Sequence, residues 1–234
     1  LVVDGARAIV GGINLSTTYQ SSAGSSGTQG KGPQYWRDTD LQIGGPAAAQ
    51  LQTLFFEHWE QQKGPALERS LYFPKVTPRG GEVVRIVGSS PDDKVPRFYV
   101  TLLSAIRNAE KNVWLSAAYF VPTDQEEDDL IDAARRGVDV RLLLPSESDS
   151  KMALAVGRSH YGDLLEAGVT IYEVQNEVLH SKTASIDGVW TAVGSSNFDP
   201  RSVVFNDEVD AIVLGSATAT AFEKMFQADL GRAR

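Results

Sequence analysis

Residues 180–214 read HSKTASIDGVWTAVGSSNFDPRSVVFNDEVDAIVL, in which short apolar runs alternate with turn-forming residues. The runs at about 180–186, 190–195 and 207–214 are rich in Val, Ile and Thr and are bounded by Gly, Asp, Asn, Ser and Pro. Runs of this length and composition are typical of β-strands. The segment therefore predicts three strands in succession.

The start of the chain repeats part of this pattern. Residues 1–16, LVVDGARAIVGGINLS, align with TASIDGVWTAVGSSNFD at 183–199. The aligned positions are Asp4 with Asp187, Gly11 with Gly194, Asn14 with Asn197, and Asp38-Thr39-Asp40 with Glu208-Val209-Asp210. Asp-Gly is a common hairpin signal, so residues 1–16 predict two short strands around Asp4-Gly5. Two long copies, each running into a helix, indicate a duplicated domain whose first repeat is truncated at its start.

Strands and helices alternate through the rest of the chain. Further strands are predicted at 36–44, 82–88, 112–118, 138–144 and 169–174, and helices at 46–63, 97–110, 124–136, 151–167 and 217–230. This alternation predicts an α/β fold, with a mixed β-sheet flanked by helices on both faces.

Local composition suggests where the repeats are joined. Residues 17–35 are rich in Ser, Gly, Thr and Gln and predict a mobile loop. Residues 64–81 are rich in Pro and Gly and predict a linker. We therefore divide the chain into the C-terminal part of a first repeat at 1–63, a linker at 64–81 and a second repeat at 82–234.

The overall composition disfavours several classes of protein. A formal net charge of −8 repels a phosphate backbone, so no nucleic-acid partner is expected. The absence of cysteine excludes disulfides and thiolate chemistry. No run of about 18 apolar residues occurs, so no transmembrane segment is expected. The chain begins inside a predicted strand without Met, which indicates a fragment of a longer polypeptide; a processed N-terminus is the alternative.

His180 and Lys182 are the first candidates for chemistry. On a strand their side chains project from the same face, because alternate residues do. A neutral imidazole can attack a phosphodiester while a neighbouring ammonium neutralises the phosphoryl oxygens. A surface His beside a surface Lys would give the same pattern.

Polar residues further along can complete such a site. Ser195 and Asn197 follow Gly194 and can donate hydrogen bonds to phosphate oxygens, or they can form a plain turn. Glu208 can hold an imidazole in one tautomer, or it can lie at a solvated strand end. Arg201 can pair with a phosphate or an acidic group, or it can lie on the surface.

Together these segments resemble the second H-x-K-x-x-x-x-D motif of the phospholipase D superfamily, and most of all that of its bacterial cardiolipin synthase branch. AAYFVPT at 117–123, RRGVDVRLLLP at 135–145, LLEAGVTIYE at 164–173 and the residues 36–59 fit the same branch. In that family two such motifs face each other across a pseudo-twofold axis. One His attacks phosphorus to form a phosphohistidine, and the other protonates the leaving alcohol.

The resemblance implies a role for each matched residue of the second motif. His180, Lys182 and Asn197 would contact the substrate phosphate. Glu208 would orient His180. Asp187 would be the structural Asp of the motif and would hold local backbone.

The first motif is incomplete in this sequence. Asp4, Asn14 and Asp38 would be its structural Asp, its phosphate-side Asn and its His-orienting acid, but its His and Lys would fall before residue 1. His58 and His160 do not replace them, because neither has a Lys two residues later. The missing half is expected in cis in a longer chain or on a separate polypeptide; a degenerate, inactive homologue is the third explanation.

The resemblance implies a phospholipid substrate, phosphatidylglycerol or similar, and a peripheral protein on the cytoplasmic side of the bacterial inner membrane. The segment 119–122 can form an apolar wall for acyl chains or pack in the core. Trp36, Phe55, Phe56 and Trp59 can contact a membrane or be buried. The acceptor is left open, so phosphatidyl transfer, phospholipase D hydrolysis and a non-catalytic lipid-binding remnant are all hypotheses. No metal or other cofactor is expected, because Lys182 and Asn197 would stabilise the charge.

Overall fold

A computed structural model describes residues 1–16, 19 and 36–234 of the chain. The strands are β1 (Val2–Val3), β2 (Arg7–Gly11), β3 (Trp36–Arg37), β4 (Asp40–Gly44), β5 (Val83–Ser89), β6 (Asn112–Ser116), β7 (Asp139–Pro145), β8 (Thr170–Val174), β9 (Val178–Leu179), β10 (Thr183–Ile186), β11 (Trp190–Gly194) and β12 (Glu208–Leu214). The α-helices are α1 (Ala48–Gln61), α2 (Arg97–Arg107), α3 (Asp124–Arg135), α4 (Lys151–Ser159), α5 (Tyr161–Glu166), α6 (Pro200–Val204) and α7 (Ser216–Leu230). The predicted loop at 17–35 lies outside the described residues, apart from Tyr19.

A seven-stranded mixed sheet is the centre of the second half of the chain, in the spatial order β5-β12-β11-β10-β6-β7-β8. The pairs from β5 to β6 are antiparallel, and β6, β7 and β8 are parallel to one another. Two smaller sheets accompany it, an antiparallel β1-β2-β4 and a parallel β3-β9 pair. The predicted α/β fold with a mixed sheet is confirmed.

The alternation of side chains along the strands produces a core on each face of the large sheet. On β11 and β12, Ala192 and Ile212 join a core formed with α2, α3 and α5, whereas Val193 and Ala211 lie in a second cluster. That second cluster contains Ala8, Val10 and Ile43 of the three-stranded sheet, with residues of α1 and α7. The two sheets are therefore packed face to face through a shared apolar layer.

The turns of the two hairpins have the same backbone conformation. Asp4 and Asp187 both have left-handed φ values, 52° and 54°, and the glycines that follow them, Gly5 and Gly188, have φ values of 59° and 68°. Positive φ at both central positions is the conformation that Asp-Gly favours in a tight hairpin. The aligned Asp-Gly pairs thus form equivalent turns in β1–β2 and β10–β11.

The strand register also matches between the two sheets. Gly11 pairs with Asp40, and Gly194 pairs with Asp210. A Cβ added at Gly11 would lie 2.1 Å from Asp40 Oδ1, and one added at Gly194 would lie 2.0 Å from Asp210 Oδ1. Only glycine fits at either position. This register agrees with the internal alignment of the sequence, and it makes Asp38 the counterpart of Glu208.

Several elements differ from their predicted bounds. The helix predicted at 151–167 is two helices, α4 and α5, with His160 between them. The short helix α6 lies between the strands predicted at 190–195 and 207–214, in a stretch for which the sequence predicted no element. On α1 the buried side chains include Leu51 and Phe56, while Phe55 is 48% exposed. None of the helices in the described ranges is long and apolar enough to cross a bilayer.

Candidate active site

His180 and Lys182 lie between β9 and β10, where the chain passes from the small β3–β9 sheet into the large one. The prediction that they belong to one strand is therefore wrong, because β9 pairs with β3 and not with the strands that flank β10. The side chains nevertheless come together. The Nζ of Lys182 is 2.9 Å from Nδ1 and 3.1 Å from Nε2 of His180, and both residues are buried.

Asp38 is the carboxylate in contact with His180. Its Oδ2 is 2.7 Å from the imidazole Nδ1, and its side chain is fully buried. The parallel β3–β9 pair causes this contact, because it sets Arg37 opposite Leu179, immediately before the two residues concerned. A carboxylate on Nδ1 fixes the imidazole orientation and directs Nε2, which lies 3.1 Å from the Lys182 ammonium, to the side where a phosphate would bind.

Glu208 was expected to orient His180, and the structure places it in a different cluster. It accepts hydrogen bonds from the Ser195 hydroxyl, from Ser202 Oγ at 2.8 Å and from Asn206 Nδ2 at 3.0 Å. The expected pairing is thus corrected: the acid from the first-repeat segment meets the histidine of the second. The expectation failed because it paired acid and histidine within one repeat, and the cross-contact depends on the β3–β9 pair.

The loop after β11 was expected to bind phosphate through Ser195 and Asn197. The Ser195 hydroxyl donates to Glu208 and accepts from the Val209 N–H at 3.0 Å, so its proton is already engaged. The Asn197 N–H donates to Ser202 Oγ at 3.0 Å. Among the described residues, the side-chain Oδ1 of Asn197 is buried without a hydrogen-bond partner.

Asp187 holds backbone and lies away from the imidazole. Its Oδ1 accepts from the N–H groups of Lys111 at 2.7 Å and Asn112 at 3.1 Å, and its Oδ2 accepts from that of Glu110 at 3.0 Å. These bonds tie the β10–β11 turn to the start of β6, the neighbouring strand. In this structure the third residue of the motif orders the sheet that carries His180.

The remaining predicted residues are distributed around the site. Asn14 reaches it indirectly, through a hydrogen bond to the Tyr19 hydroxyl, which lies 3.1 Å from Nδ1 of His180. Asp4 is exposed in the β1–β2 turn, and Arg201 is exposed on α6. Among the contacts of the described residues, neither of these two reaches the imidazole.

Three aromatic side chains surround His180, and the sequence did not identify them as site residues. The ring centroids of Trp36, Tyr119 and Tyr19 lie 4.6, 6.1 and 6.2 Å from that of the imidazole. Trp36 was considered for membrane contact, Tyr119 for an apolar wall, and Tyr19 lies in the Ser/Gly-rich segment. No spacing rule links these positions, because they come from three separate segments of the chain that meet only in the folded structure.

Burial controls the electrostatics of the site. It lowers the pKa of Lys182 to about 8, against the opposing effect of Asp38 and Glu208, which favour its charged form. Burial, with the nearby charge of Asp38, raises the pKa of Tyr19 to about 12. At neutral pH the site therefore presents a charged ammonium, a neutral phenol and an imidazole held by a carboxylate.

The other two histidines are not part of this arrangement. His58 is exposed on α1, and His160 lies between α4 and α5 with its Nδ1 2.8 Å from Glu127 Oε2. Each lacks a neighbouring Lys, as the sequence indicates.

Comparison with known proteins agrees with the fold and the motif. Residues 102–230 match the family model described as cardiolipin synthase, phospholipase D-like domain. The chain is 33% identical to a cardiolipin synthase of Alkalihalophilus pseudofirmus over 98% of its own length and 45% of the relative's. It is 35% identical to a cardiolipin synthase of Geobacillus thermodenitrificans over 91% of its length and 41% of the relative's. The chain thus spans less than half the length of these curated relatives.

Solved structures share the fold at lower identity. The phospholipase D family member Nuc from Salmonella typhimurium has a TM-score of 0.56 at 22% identity, covering 66% of this chain and 97% of that one. The phosphatidylserine synthase of Haemophilus influenzae has a TM-score of 0.63 at 10% identity, covering 86% of this chain and 56% of that one. Because the family model matches more than half of the sequence, and relatives at 33–35% identity match more than nine tenths of it, the chain belongs to the phospholipase D superfamily and, within it, to the cardiolipin synthase branch.

Proposed function

We propose that this chain supplies one half of an active site that transfers a phosphatidyl group between phospholipids through a phosphohistidine. The observation that carries the proposal is the buried His180–Asp38 pair, 2.7 Å apart, with the Lys182 ammonium against the same ring. Phosphatidylglycerol is the substrate we propose, because the similar proteins are cardiolipin synthases. The reaction would join two such lipids and release glycerol.

The reaction needs two histidines in turn. One imidazole attacks phosphorus, forms a P–N bond and breaks the bond to the departing alcohol, while the other donates the proton that this alcohol takes up. The acceptor hydroxyl then gives its proton to the second imidazole and displaces the first from phosphorus. Lys182 neutralises the phosphoryl oxygens in both steps, and the Asn197 amide supports it. We leave open which of the two roles belongs to His180.

The second His–Lys pair has to come from outside residues 1–234, because H-x-K occurs once in this sequence. We propose that the missing half of the first repeat supplies it, in cis or on a separate chain. Glu208 is the register counterpart of Asp38, and Asp38 contacts the histidine of the other repeat. By the same cross-pairing, Glu208 is assigned to the first-motif histidine, with Asp4 and Asn14 as the first-repeat counterparts of Asp187 and Asn197.

Because the proposed substrate is a phospholipid, we propose that the protein acts at a membrane surface, as a peripheral protein on the cytoplasmic side of the bacterial inner membrane. Of the aromatic residues considered for membrane contact, Phe56 is buried and Trp36 packs on His180. Phe55 is 48% exposed and stacks on Trp59. Phe55 is therefore the candidate among them for contact with lipid.

The test is the substitution His180→Ala in the full-length protein, assayed on phosphatidylglycerol vesicles with products read by mass spectrometry. We expect loss of cardiolipin formation by at least about 10³-fold, since either role of the imidazole is essential to the chemistry. His58→Ala is the matched control and should leave turnover unchanged. Full activity of His180→Ala would refute the assignment.

Product identity separates transfer from hydrolysis. Cardiolipin and glycerol as products support phosphatidyl transfer, whereas phosphatidic acid alone would identify a hydrolase of the phospholipase D type. Acid-quenched trapping of phosphohistidine tests the intermediate. Purified 1–234 alone should be inactive in the same assay, because one imidazole cannot both carry the phosphatidyl group and protonate the alcohol.

A further inference from the structure

Two loops of the large sheet bring a phenol beside His180 and a carboxylate against that phenol. Tyr119 follows β6, and its ring meets the imidazole edge-on, with a centroid distance of 6.1 Å and an interplanar angle of 90°. Asp149 follows the neighbouring parallel strand β7. The Tyr119 hydroxyl donates to Asp149 Oδ1 at 2.7 Å. The mechanism above uses neither group.

The backbone next to Tyr119 is held in place by the packing of the two residues that follow it. The next residue, Phe120, is buried and stacks on Phe198 with a centroid distance of 5.5 Å. The N–H of Val121 donates to the carbonyl of Phe198 at 2.8 Å. Gly157 of α4 closes the other side, since an added Cβ there would lie 2.3 Å from the carbonyl oxygen of Phe120. Tyr119 is thus held at the imidazole by packed backbone.

Asp149 is held by one oxygen only. Its Oδ1 accepts from the Tyr119 hydroxyl and also from Ser148 Oγ, at 3.3 Å. The loop is anchored by the Ser150 hydroxyl, which accepts from the Ala153 N–H at the start of α4. Both donors converge on Oδ1, so Oδ2 has no hydrogen-bond partner among the described residues. The residue is exposed, and this oxygen is free to accept from a ligand.

The chemistry of the pair selects a hydroxyl-bearing ligand. A carboxylate oxygen repels a phosphate group, so the pair does not bind the phosphoryl centre itself. The Lys182 ammonium lies against the His180 ring that Tyr119 also meets, so a cationic ligand would be repelled there. A neutral polyol is compatible with both neighbours, because one hydroxyl can donate to Oδ2 and another can contact the phenol oxygen.

We propose that Tyr119 and Asp149 form a subsite for the glycerol hydroxyls of phosphatidylglycerol, and so decide that an alcohol and not water takes the phosphatidyl group. The inference rests on the proposed phosphatidyl transfer and adds to it the residues that recognise the alcohol. Two glycerol moieties pass through the reaction, that of the departing headgroup and that of the acceptor lipid. Both have the same hydroxyl chemistry.

The test uses the full-length enzyme with Tyr119→Phe, Asp149→Asn and Asp149→Leu, assayed for cardiolipin and phosphatidic acid together. We expect the ratio of transfer to hydrolysis to fall by about 10-fold in Tyr119→Phe and Asp149→Leu, the effect of losing a hydrogen bond to a charged group. In Asp149→Asn this ratio should fall less, because an amide oxygen still accepts a hydrogen bond from a hydroxyl. Tyr161→Phe is the matched control, since Tyr161 also donates to a carboxylate, that of Glu173 at 3.2 Å.

The outcomes separate the sources of the hydroxyls. A lower ratio at an unchanged rate of phosphatidic acid release supports recognition of the acceptor, and a raised KM for phosphatidylglycerol in both reactions supports recognition of the departing headgroup. An unchanged ratio and KM in Asp149→Leu would overturn the proposal. So would a larger loss with ethanolamine than with glycerol as added acceptor, which identifies a cation site. The wild-type products test the phosphatidyl transfer itself, independently of these variants.

Discussion

At the residue scale, the buried ammonium of Lys182 predicts an unusual pH dependence. Burial lowers its pKa to about 8 from the ordinary value of 10.5. Below about pH 8 the ammonium is charged and can neutralise the phosphate of the proposed substrate, and above it the charge is lost. We therefore expect kcat/KM, which reports the free enzyme, to fall above about pH 8. An initial-rate pH profile on phosphatidylglycerol measures this.

A substitution tests whether Lys182 causes that fall. Lys182→Arg keeps a positive charge at every accessible pH. Its rate should be lower, because the longer guanidinium does not fit the same buried space, but its alkaline decline should disappear. A decline that stays near pH 8 in Lys182→Arg would assign the titration to another group.

The sequence predicted the residues of this site better than their contacts. The spacing of His180 and Lys182 and the internal alignment identified the imidazole, the ammonium and Asp38. The alignment did not reveal that Asp38 would contact His180, because that contact joins residues 142 positions apart through the short β3–β9 pair. Strands of two residues leave almost no periodic signal, so the sequence gives no way to foresee such a pair.

At the element scale, a buried carboxyl group at the N-terminus of α3 makes the stability of the fold depend on pH. Thr123 and Glu126 form a capping box, with the Thr123 N–H 2.7 Å from Glu126 Oε2 and the Glu126 N–H 3.2 Å from Thr123 Oγ1. Glu126 is only 2% exposed, and burial raises its pKa from 4.5 to about 7. The folded state thus binds more protons than the unfolded state in this window, and stability falls as the pH rises through it.

Glu126→Gln should remove this loss of stability at high pH, because glutamine also fits a capping box and carries no charge. We expect the free energy of unfolding at pH 8 to rise by about 1–3 kcal/mol, and the gain to vanish near pH 4. Urea denaturation at both pH values measures it. Asp128→Asn, at an exposed position of the same helix, is the control and should show no such difference. An equal gain at both pH values would contradict the explanation.

The long elements were predicted well and the short ones were not. The 14 residues of α1 contain several turns of apolar spacing, and the 12 of α3 lie between Asp124 near the start and Gly137 just past the end, so both helices follow from the sequence. The break at His160 depends on tertiary contacts, since His160 pairs with Glu127 of α3 at 2.8 Å. The five residues of α6 follow an Asp199 cap, in a stretch for which the sequence predicted no element.

At the scale of the whole molecule, the first-repeat segment behaves as part of the second repeat's core. Ala8, Val10 and Ile43 belong to the same apolar cluster as Val193 and Ala211 of the large sheet. An ion pair adds to this layer: Arg37 NH2 lies 3.0 Å from Asp229 Oδ2 on α7. The predicted boundary at the linker 64–81 therefore separates two stretches of sequence that share one hydrophobic layer.

Removal of residues 1–81 should destabilise the remaining second repeat, because it uncovers Val193, Ala211 and Phe222 on one face of the sheet. Losing several buried contacts costs at least about 3 kcal/mol, which corresponds to roughly 6–12 °C in Tm for a domain of this size. We expect 82–234 to melt at least that much below 1–234 and to bind a hydrophobic dye. Asp38→Asn in 1–234 is the control: it weakens the contact with His180 but keeps the apolar layer, so most of the stability should be retained. Equal melting temperatures for 82–234 and 1–234 would mean that the second repeat folds on its own, and that the segment 1–63 serves only to bring Asp38 to His180.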